Sequence, residues 1–274
     1  MKSFSVFVLV FFIVIISDGL FSQTKTISEG KNNLPFYVGE DLFYNVRYGF
    51  FDLGSVQIKT PQKVEENGIT LYKMMAYIDS YSGVPFVDLH VIYESFIDEQ
   101  GFPKRFIART IKEDHVQYDT YDFNYDKKTV VFRHGRGTKD NFVTIEQIDT
   151  NEINIPHQDG LSIFFYARIK AGTNRYDLVP TYHENKKSTT EIHFTKKIEN
   201  TELDDVDYPI ATSYLDGKMN FIGIFGLTGG FQGWFSNDDA RIPIIAKLKV
   251  LVGNVTVELQ KWKRGSWSPP QGFE

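Results

Sequence analysis

The sequence predicts a mainly β protein whose strands follow one another as an antiparallel meander. Apolar and polar residues alternate with a period of two through most of the chain, as they do in strands with one buried face. Short clusters that contain Gly, Asn or Asp separate these segments at regular intervals. Aromatic residues make up 15% of the chain, which fits wide apolar sheet faces. Because only one segment has a helical pattern, we expect one continuous sheet system and not alternating β and α units.

The N-terminal residues predict export. Lys2 precedes an apolar run over 6–16, and polar residues then lead to Ser22, a small residue that suits a cleavage position. We therefore expect a signal peptide over residues 1–22. No later segment approaches the roughly 18 consecutive apolar residues that a membrane span requires, so we expect no transmembrane span. The polar residues 23–33 predict a disordered leader.

The first two strands are predicted from residue 40 onwards. Alternation over 42–48 recurs over 55–59, and Asp52-Leu53-Gly54 between them is typical of a tight turn, because Gly accepts a positive φ. These segments predict a hairpin. Further strands are predicted at 70–81, 87–97, 102–111, 116–124 and 129–133, with turns at 66–68, 99–101 and 126–128.

One helix is predicted after Asp159, a residue type that caps helices. Leucine, phenylalanine and arginine recur at helical spacing over 161–168, and Gly172 ends the pattern. We expect this helix to lie across a sheet face. Strands are then predicted at 176–183, 189–198, 218–225, 230–236, 242–250 and 254–262, with turns at 237–239 and 252–254.

The domain organisation follows from these elements. Residues 34–262 are predicted to form a single β domain, because β sandwiches and barrels of this length often fold as one unit. Residues 263–274 are polar and contain Pro269-Pro270, so we predict a flexible tail.

Composition excludes several classes of protein. The chain has no cysteine, which excludes disulfides, thiolate chemistry, iron–sulfur clusters and an acyl anchor attached through cysteine. The net charge is −5, with both signs interspersed along the chain. Nucleic-acid binding requires clustered Lys and Arg, so we expect no nucleic-acid partner.

No motif in the sequence predicts catalysis, a metal site or a cofactor. The six histidines fall in separate segments, and only His183 and His193 could face each other across a hairpin. The sequence contains no GxSxG motif of a serine nucleophile. Acidic clusters at 113–114, 204–207 and 238–239 are typical of polar turns, although paired carboxylates can also serve as acid and base. The glycine-rich stretch 223–233 lacks the strand–helix context of a phosphate loop and favours a bent sheet.

Several blocks of sequence resemble an uncharacterised family of exported bacterial proteins, domain of unknown function 3108 (DUF3108). The first block is residues 38–48, followed by Gly54. The second is the predicted helix at 159–168, and the third is the terminal hairpin, which combines 233–243 with 253–259. The resemblance extends over roughly residues 34–262. Its motifs mark turns and packing, and so it bears on fold more than on function.

The terminal hairpin is also similar to that of periplasmic lipoprotein carriers, which are half-open β barrels. This resemblance implies a strongly curved antiparallel sheet, a half-open or incomplete β-barrel, with one short helix packed on its concave face. It also implies a location in the periplasm or cell envelope of a Gram-negative bacterium. No ligand-binding residue of the carriers can be matched by position, so the resemblance is one of architecture.

Aromatic residues of the helix and the late strands are the candidate ligand-binding residues. A curved sheet with a helix inside it has room for an acyl chain, although the same residues could form an ordinary filled core. The candidates are Phe164, Phe165, Phe221, Phe225, Phe231 and Trp234.

Three functional hypotheses remain open from the sequence. The first is an exported, non-catalytic protein that binds a lipid, an acyl chain or a lipidated partner in an apolar concavity. The second is a structural or protein-interaction module of the cell envelope with a filled core and exposed strand edges. A hydrolase built on paired carboxylates ranks last.

Overall fold

A computed structural model describes residues 35–84, 88–222, 228–250 and 253–273, most of which lie in strands. The side chains at 221, 222 and 228 are outside this description. The strands are β1 (Glu40–Tyr48), β2 (Phe51–Glu66), β3 (Ile69–Ser80), β4 (His90–Asp98), β5 (Pro103–Ile111), β6 (Val116–Asn124), β7 (Thr129–Gly137), β8 (Phe142–Glu152), β9 (Arg175–His183), β10 (Lys186–Leu203), β11 (Val206–Ile222), β12 (Thr228–Ser236), β13 (Pro243–Lys249) and β14 (Asn254–Lys263), and the helix α1 is Ser162–Lys170.

All fourteen described strands belong to one antiparallel sheet, in the order β8-β7-β6-β5-β4-β3-β2-β1-β14-β13-β12-β11-β10-β9. Neighbours in the sheet are also neighbours in sequence except at one place, where β1 pairs with β14 and Tyr48 lies opposite Val255. This pairing joins two meanders into one sheet. Strands β8 and β9 are its edges, so the sheet does not close into a complete barrel. The predicted mainly β, antiparallel, incomplete barrel is confirmed.

The sheet curves around α1, which lies between two clusters of buried side chains. Phe165 packs into the larger cluster with residues of β1 to β7, including Leu42 and Met74. Ala167 packs into the smaller cluster with Ile192 and Phe194 of β10. Irregular register, as between Lys59 and Gln62 in β2, marks bulges, which bend and twist strands. The predicted position of the helix on the concave face is confirmed.

The first hairpin forms as predicted, but its turn lies elsewhere. Tyr48 pairs with Phe51, so the turn is at Gly49 and Phe50, and Gly49 has φ 59°. Gly54 instead lies inside β2, where a Cβ atom would be 2.2 Å from the carbonyl oxygen of Asp79 in β3. The turn prediction for Asp52-Leu53-Gly54 was therefore wrong: this glycine allows two strands to approach closely.

Strand β8 was missing from the sequence prediction because it has no regular buried face. Its apolar residues Val143, Ile145 and Ile148 are all exposed. The sequence of β8 therefore lacks the alternation of buried apolar and exposed polar residues by which the other strands were predicted. In contrast, turns such as the one at Asn67-Gly68 were predicted correctly, and both residues have a positive φ there.

The C-terminal residues 264–273 are docked on the sheet and do not form the predicted flexible tail. The amide of Ala211 donates to the carbonyl of Pro270 (2.9 Å), and the amide of Gly272 donates to the carbonyl of Pro209 (2.6 Å). The indole nitrogen of Trp267 donates to Asp238 Oδ2 (2.6 Å). The polar, proline-containing composition suggested a flexible tail, but a proline carbonyl still accepts hydrogen bonds, and these bonds hold the segment in place.

Candidate functional site

Helix α1 is positioned at its start by a buried carboxylate. Asp159 Oδ1 accepts hydrogen bonds from the amides of Leu161 (2.8 Å) and Ser162 (2.7 Å), and its Oδ2 accepts one from Ser95 Oγ (2.6 Å) in β4. The N-cap position of α1 is Leu161, which makes no side-chain capping bond, so Asp159 does not cap the helix directly but holds the turn that leads into it. The same contacts fasten the start of the helix to the sheet.

The other end of α1 is held by an arginine. Arg168 donates from Nη1 to Glu40 Oε1 (2.6 Å) and from Nη2 to Glu40 Oε2 (3.0 Å), which ties the helix to the start of β1. Gly172 follows the helix with φ 76°, in agreement with the predicted stop. With both ends fixed, the middle of the helix faces the interior of the curved sheet.

A two-lobed apolar cavity occupies that interior, and Phe164 of α1 lies at the boundary between the lobes. Lobe A has a volume of about 170 Å³ and lies between α1 and strands β9 to β13. Lobe B has a volume of about 120 Å³ and lies between α1 and strands β1 to β4, β13 and β14. The residues that line both lobes are Tyr93, Gly160, Phe164, Pro243, Ala246 and Leu248.

Each lobe has further apolar walls from alternate residues of its strands. In lobe A these include Ile163 and Ala167 of the helix with Ile192, Leu215, Phe231 and Phe235 of the sheet. In lobe B they include Val46, Ile58, Ala76, Ile78, Val255 and Val257. No Asp, Glu, Lys or Arg is among the described residues that line either lobe. The cavity therefore suits an apolar, uncharged chain.

The exposure of Phe164 shows that this part of the core is unfilled. Its side chain is 44% exposed although it projects from a helix on the concave face of the sheet, whereas its neighbour Phe165 is 1% exposed. A cavity of about 150 Å³ with apolar walls can stay dry and take up a small hydrocarbon. The space on either side of Phe164 is thus of the right size and chemistry for a hydrocarbon ligand.

The candidate aromatic residues separate into several places. Phe164 and Phe231 line lobe A. Phe165 packs in the closed core, edge-on to Phe36 with ring centroids 5.4 Å apart, and does not line the cavity. Phe221 belongs to β11, but its side chain lies outside the described part of the structure, and Phe225 lies outside the described residues.

Trp234 lies on the opposite face of β12 from the cavity. Its indole nitrogen donates to Glu199 Oε2 (2.6 Å), and its ring packs on Tyr214 with centroids 5.4 Å apart. Residues three apart in a regular strand point to opposite faces, and of Phe231 and Trp234 only Phe231 lines lobe A. The alternation of β12 was available in the sequence and would have selected Phe235 in place of Trp234.

Two buried hydroxyl groups belong to residues of the cavity wall. Thr190 lines lobe A, and its Oγ1 is buried without a hydrogen-bond partner in the described part of the chain. Tyr44 lines lobe B, and its hydroxyl is likewise buried without a hydrogen-bond partner in the described part of the chain. Burial raises the pKa of Tyr44 above its usual range, and it does the same to the pKa of Tyr93, so both phenols are neutral at physiological pH. Sequence patterns gave no signal for either hydroxyl.

The residues considered for metal binding or acid–base chemistry do not come together at this cavity, although His183 lines lobe A. The register of β9 and β10 pairs His183 with Lys186 and His193 with Tyr176, so the two histidines are far apart along the hairpin. Within the described ranges, no three His, Asp or Glu side chains form a group that could hold a metal ion. Asp238 Oδ1 accepts hydrogen bonds from the amides of Ala240 (3.0 Å) and Arg241 (3.1 Å), as expected of a turn residue.

The fold and the cavity define a β-barrel-like protein with an open sheet and an apolar interior next to its single described helix. The chain belongs to the family described as protein of unknown function (DUF3108), whose profile matches residues 44–260. The resemblance inferred from the sequence is thereby confirmed. None of the described residues forms a helix with the length and hydropathy needed to cross a bilayer.

A solved structure shares the fold. The crystal structure of a beta-barrel-like protein of domain of unknown function DUF1849 from Brucella abortus is similar over 82% of this chain and 97% of that chain. The TM-score is 0.53 and the sequence identity is 11%, so the likeness is one of fold. Comparison with curated proteins gave no match.

Proposed function

We propose that this protein is an exported, non-catalytic protein of the cell envelope that binds a lipid, an acyl chain or a lipidated partner in the two-lobed cavity. The observation that carries the proposal is the position of Phe164. This large apolar side chain is 44% exposed and has an apolar lobe on each side. A filled core would bury it, as it buries Phe165.

The dimensions of the lobes support a single hydrocarbon chain. Because a cavity of about 150 Å³ accommodates benzene, each lobe has room for roughly six carbon atoms, and the adjoining lobes together have room for a chain of roughly a dozen. Burial of each methylene group contributes about 0.8 kcal/mol. That gross gain is large enough to offset the entropy lost on association and to give measurable affinity.

Export and location in the envelope are supported by the N-terminal sequence. Lys2 and the apolar run over 6–16 have the composition of a signal peptide. The similarity to lipoprotein carriers favours the periplasm or cell envelope of a Gram-negative bacterium. Cell fractionation with the intact mass of the recovered protein tests this part: a mature chain that begins at Gln23 in the envelope fraction supports it, and a full-length chain in the cytoplasm contradicts it.

Native mass spectrometry tests the binding function. The protein is purified from the envelope without detergent, its intact mass is measured, and the bound material is then extracted and identified. We expect a stoichiometric lipid adduct that Phe164→Glu removes, because a charged side chain between two apolar lobes expels a hydrocarbon. The matched control is Phe50→Glu, since Phe50 is 100% exposed in the β1–β2 turn. An adduct-free mass that does not change when phospholipids or acyl peptides are added would contradict the proposal.

The alternative function, a protein-interaction module, is favoured by one observation at the sheet edge. Edge strand β8 exposes Val143 (68%), Ile145 (49%) and Ile148 (58%), and an open edge can pair with a strand of another chain. Ile145→Lys should weaken such pairing and leave lipid binding unchanged. Loss of the lipid adduct in Ile145→Lys would argue that the β8 edge and the cavity are not separate binding surfaces.

A further inference from the structure

Lobe B of the cavity lies towards one rim of the sheet. In β1, Leu42 is 0% exposed and lines neither lobe, whereas Val46, nearer the β1–β2 turn, lines lobe B. In β14, Leu259 is buried and lines neither lobe, whereas Val257, nearer the β13–β14 turn, lines lobe B. The antiparallel pairing of β1 with β14 places these two turns at the same rim. We call this rim, at which β1 ends at Tyr48, the cavity rim.

The β1–β2 hairpin carries two exposed phenylalanines at the cavity rim. Strand β2 begins at Phe51, whereas its pairing with β3 begins only at Gly54, opposite Ser80, so the tip of the hairpin extends past the end of β3. Phe50 is 100% exposed and Phe51 is 73% exposed. Adjacent large apolar side chains that the rest of the protein does not cover mark a surface for a partner or a membrane.

Hydrogen bonds at the base of the hairpin fix the direction in which its tip projects. Asn45 Nδ2 donates to Asp52 Oδ1 (2.6 Å), and the hydroxyl of Tyr81 donates to Asn45 Oδ1 (3.3 Å). The amide of Tyr81 donates to the carbonyl of Leu53 (2.9 Å), which joins the hairpin to the end of β3. A tip that is already ordered loses little further conformational entropy when it binds.

The size of the exposed tip fits a bilayer better than a protein partner. An aromatic side chain buries about 150–250 Å², so Phe50 and Phe51 together offer roughly half of the about 800 Å² that each partner buries in a stable protein complex. Tyr81 beside them is 38% exposed and is of a residue type that favours the level of lipid head groups. Insertion into a bilayer surface requires no matching partner surface, because lipid chains adapt to the shape of the side chain.

We propose that Phe50 and Phe51 insert into the surface of a lipid bilayer and hold the cavity rim against the membrane, where the ligand enters or leaves lobe B. This inference rests on the proposed binding function and adds the partner with which the ligand is exchanged. Because lobe B extends towards the same rim, an apolar ligand has a short path between membrane and cavity. Insertion of so few side chains is weak and reversible, as a protein that carries a ligand away from a membrane requires.

Vesicle flotation tests the membrane contact. The mature protein is mixed with vesicles of phosphatidylethanolamine and phosphatidylglycerol over a range of lipid concentrations, and the floated fraction gives a partition coefficient. Phe50→Glu should lower this coefficient by at least about tenfold, because a charged side chain replaces an inserted aromatic one. The matched control is Ile69→Glu, which introduces the same charge. Ile69 is 44% exposed and begins β3 at the opposite rim, so the coefficient should not change.

A dye attached to a single cysteine locates the contact without the loss of an apolar side chain at the tip. The chain has no cysteine, so Phe50→Cys and Ile69→Cys each provide one attachment point. When vesicles are added, the emission of an environment-sensitive dye should move to shorter wavelength at position 50 and stay constant at position 69. A change at position 50 that is no larger than the change at position 69 would overturn the inference.

Native mass spectrometry separates the inference from the proposed function. Phe50→Glu should keep its lipid adduct, because Phe50 lines neither lobe and its substitution alters only the rate of exchange with the membrane. Wild type that carries an adduct but does not float, or that floats no better than Phe50→Glu, would overturn the inference and favour a protein partner for the tip, and the binding function would stand. Wild type that floats but never carries an adduct would overturn the binding function.

Discussion

The guanidinium of Arg168 and the carboxylate of Glu40 form a two-point ion pair in the interior of the protein. The two side chains are 2% and 0% exposed. Arg168 Nη2 also donates to the carbonyls of Pro35 (3.0 Å) and Ala240 (2.9 Å), and Arg264 Nη1 donates to Glu40 Oε2 (2.5 Å). One buried carboxylate thus links the start of β1, helix α1 and the docked C-terminal segment. Because Phe164 projects from the same helix, this cluster sets its position in the cavity.

Glu40→Gln should strongly destabilise the fold. The substitution keeps the shape of the side chain but leaves two guanidinium groups in the interior without a counter-charge, and breaking a buried pair in this way costs about 3–5 kcal/mol. Urea denaturation of the purified protein measures the loss. Asp41→Asn is the control, because its partner Lys59 (3.1 Å) and Asp41 itself are about one-third exposed, and such pairs contribute under about 1 kcal/mol. If Glu40→Gln lowers the free energy of unfolding as little as Asp41→Asn does, the cluster around Glu40 does not stabilise the fold.

Asp159 should make stability depend on pH. Burial raises the pKa of its carboxyl from 3.8 to about 6, although hydrogen bonds from the Ser162 and Leu161 amides and from Ser95 act in the opposite direction. Since the folded pKa is the higher one, the stabilisation is fully present below pH 3.8 and is lost as the pH rises through about 6. Asp159→Asn should remove this loss.

The check is urea denaturation of wild type and Asp159→Asn between pH 4 and pH 7.5. The stability of wild type relative to the variant should fall across this range by up to about 3 kcal/mol, the equivalent of a shift of about two pKa units. A difference between the two proteins that does not vary with pH would mean that Asp159 titrates normally in the folded state.

Gly54→Ala should destabilise the β2–β3 pairing. The new Cβ would lie 2.2 Å from the Asp79 carbonyl oxygen and 2.9 Å from Ser80 Cα, so the two strands must separate. Overpacking of this kind costs about 1–3 kcal/mol. Gly230→Ala is the control, because the nearest atom there, the Gly217 carbonyl oxygen, is 3.8 Å away. Thermal unfolding compares the two variants, and a normal melting temperature for Gly54→Ala would refute the close approach.

Ala246→Leu should weaken the binding of a hydrocarbon chain, whereas Trp234→Phe should not. Ala246 lines both lobes, so a larger side chain there occupies space that the ligand needs. Trp234 lies on the other face of the sheet, where the substitution removes its hydrogen bond to Glu199 and keeps an aromatic ring beside Tyr214. Titration of decan-1-ol into both variants measures the difference. Loss of binding in Trp234→Phe alone would place the ligand on the outer face.

Much of the fold follows from local sequence patterns. The period-two alternation identified most strands, and turns such as Asn67-Gly68 are specified by residues that accept a positive φ. Asp159 was singled out by its residue type at the predicted start of the helix, and its carboxylate accepts hydrogen bonds from the Leu161 and Ser162 amides, although the N-cap position itself is Leu161. The prediction of a strongly curved sheet came from the similarity of the terminal hairpin to lipoprotein carriers, because local patterns do not encode curvature.

The remaining features depend on contacts between distant residues. Gly54 was taken for a turn residue because the close approach of Asp79 is a property of the sheet and not of the local sequence. Most residues of β8 are exposed, so a search for strands with one buried face does not detect it. For the cavity, alternation shows which residues point inward, but only the packed structure shows that the space beside Phe164 is unfilled while that around Phe165 is filled.

A crystal structure of the protein purified without detergent from its own host tests the central claim most directly. The proposed function predicts continuous tubular electron density that fills both lobes and passes Phe164. Side chains that close over both lobes, with no density for a ligand, would contradict it.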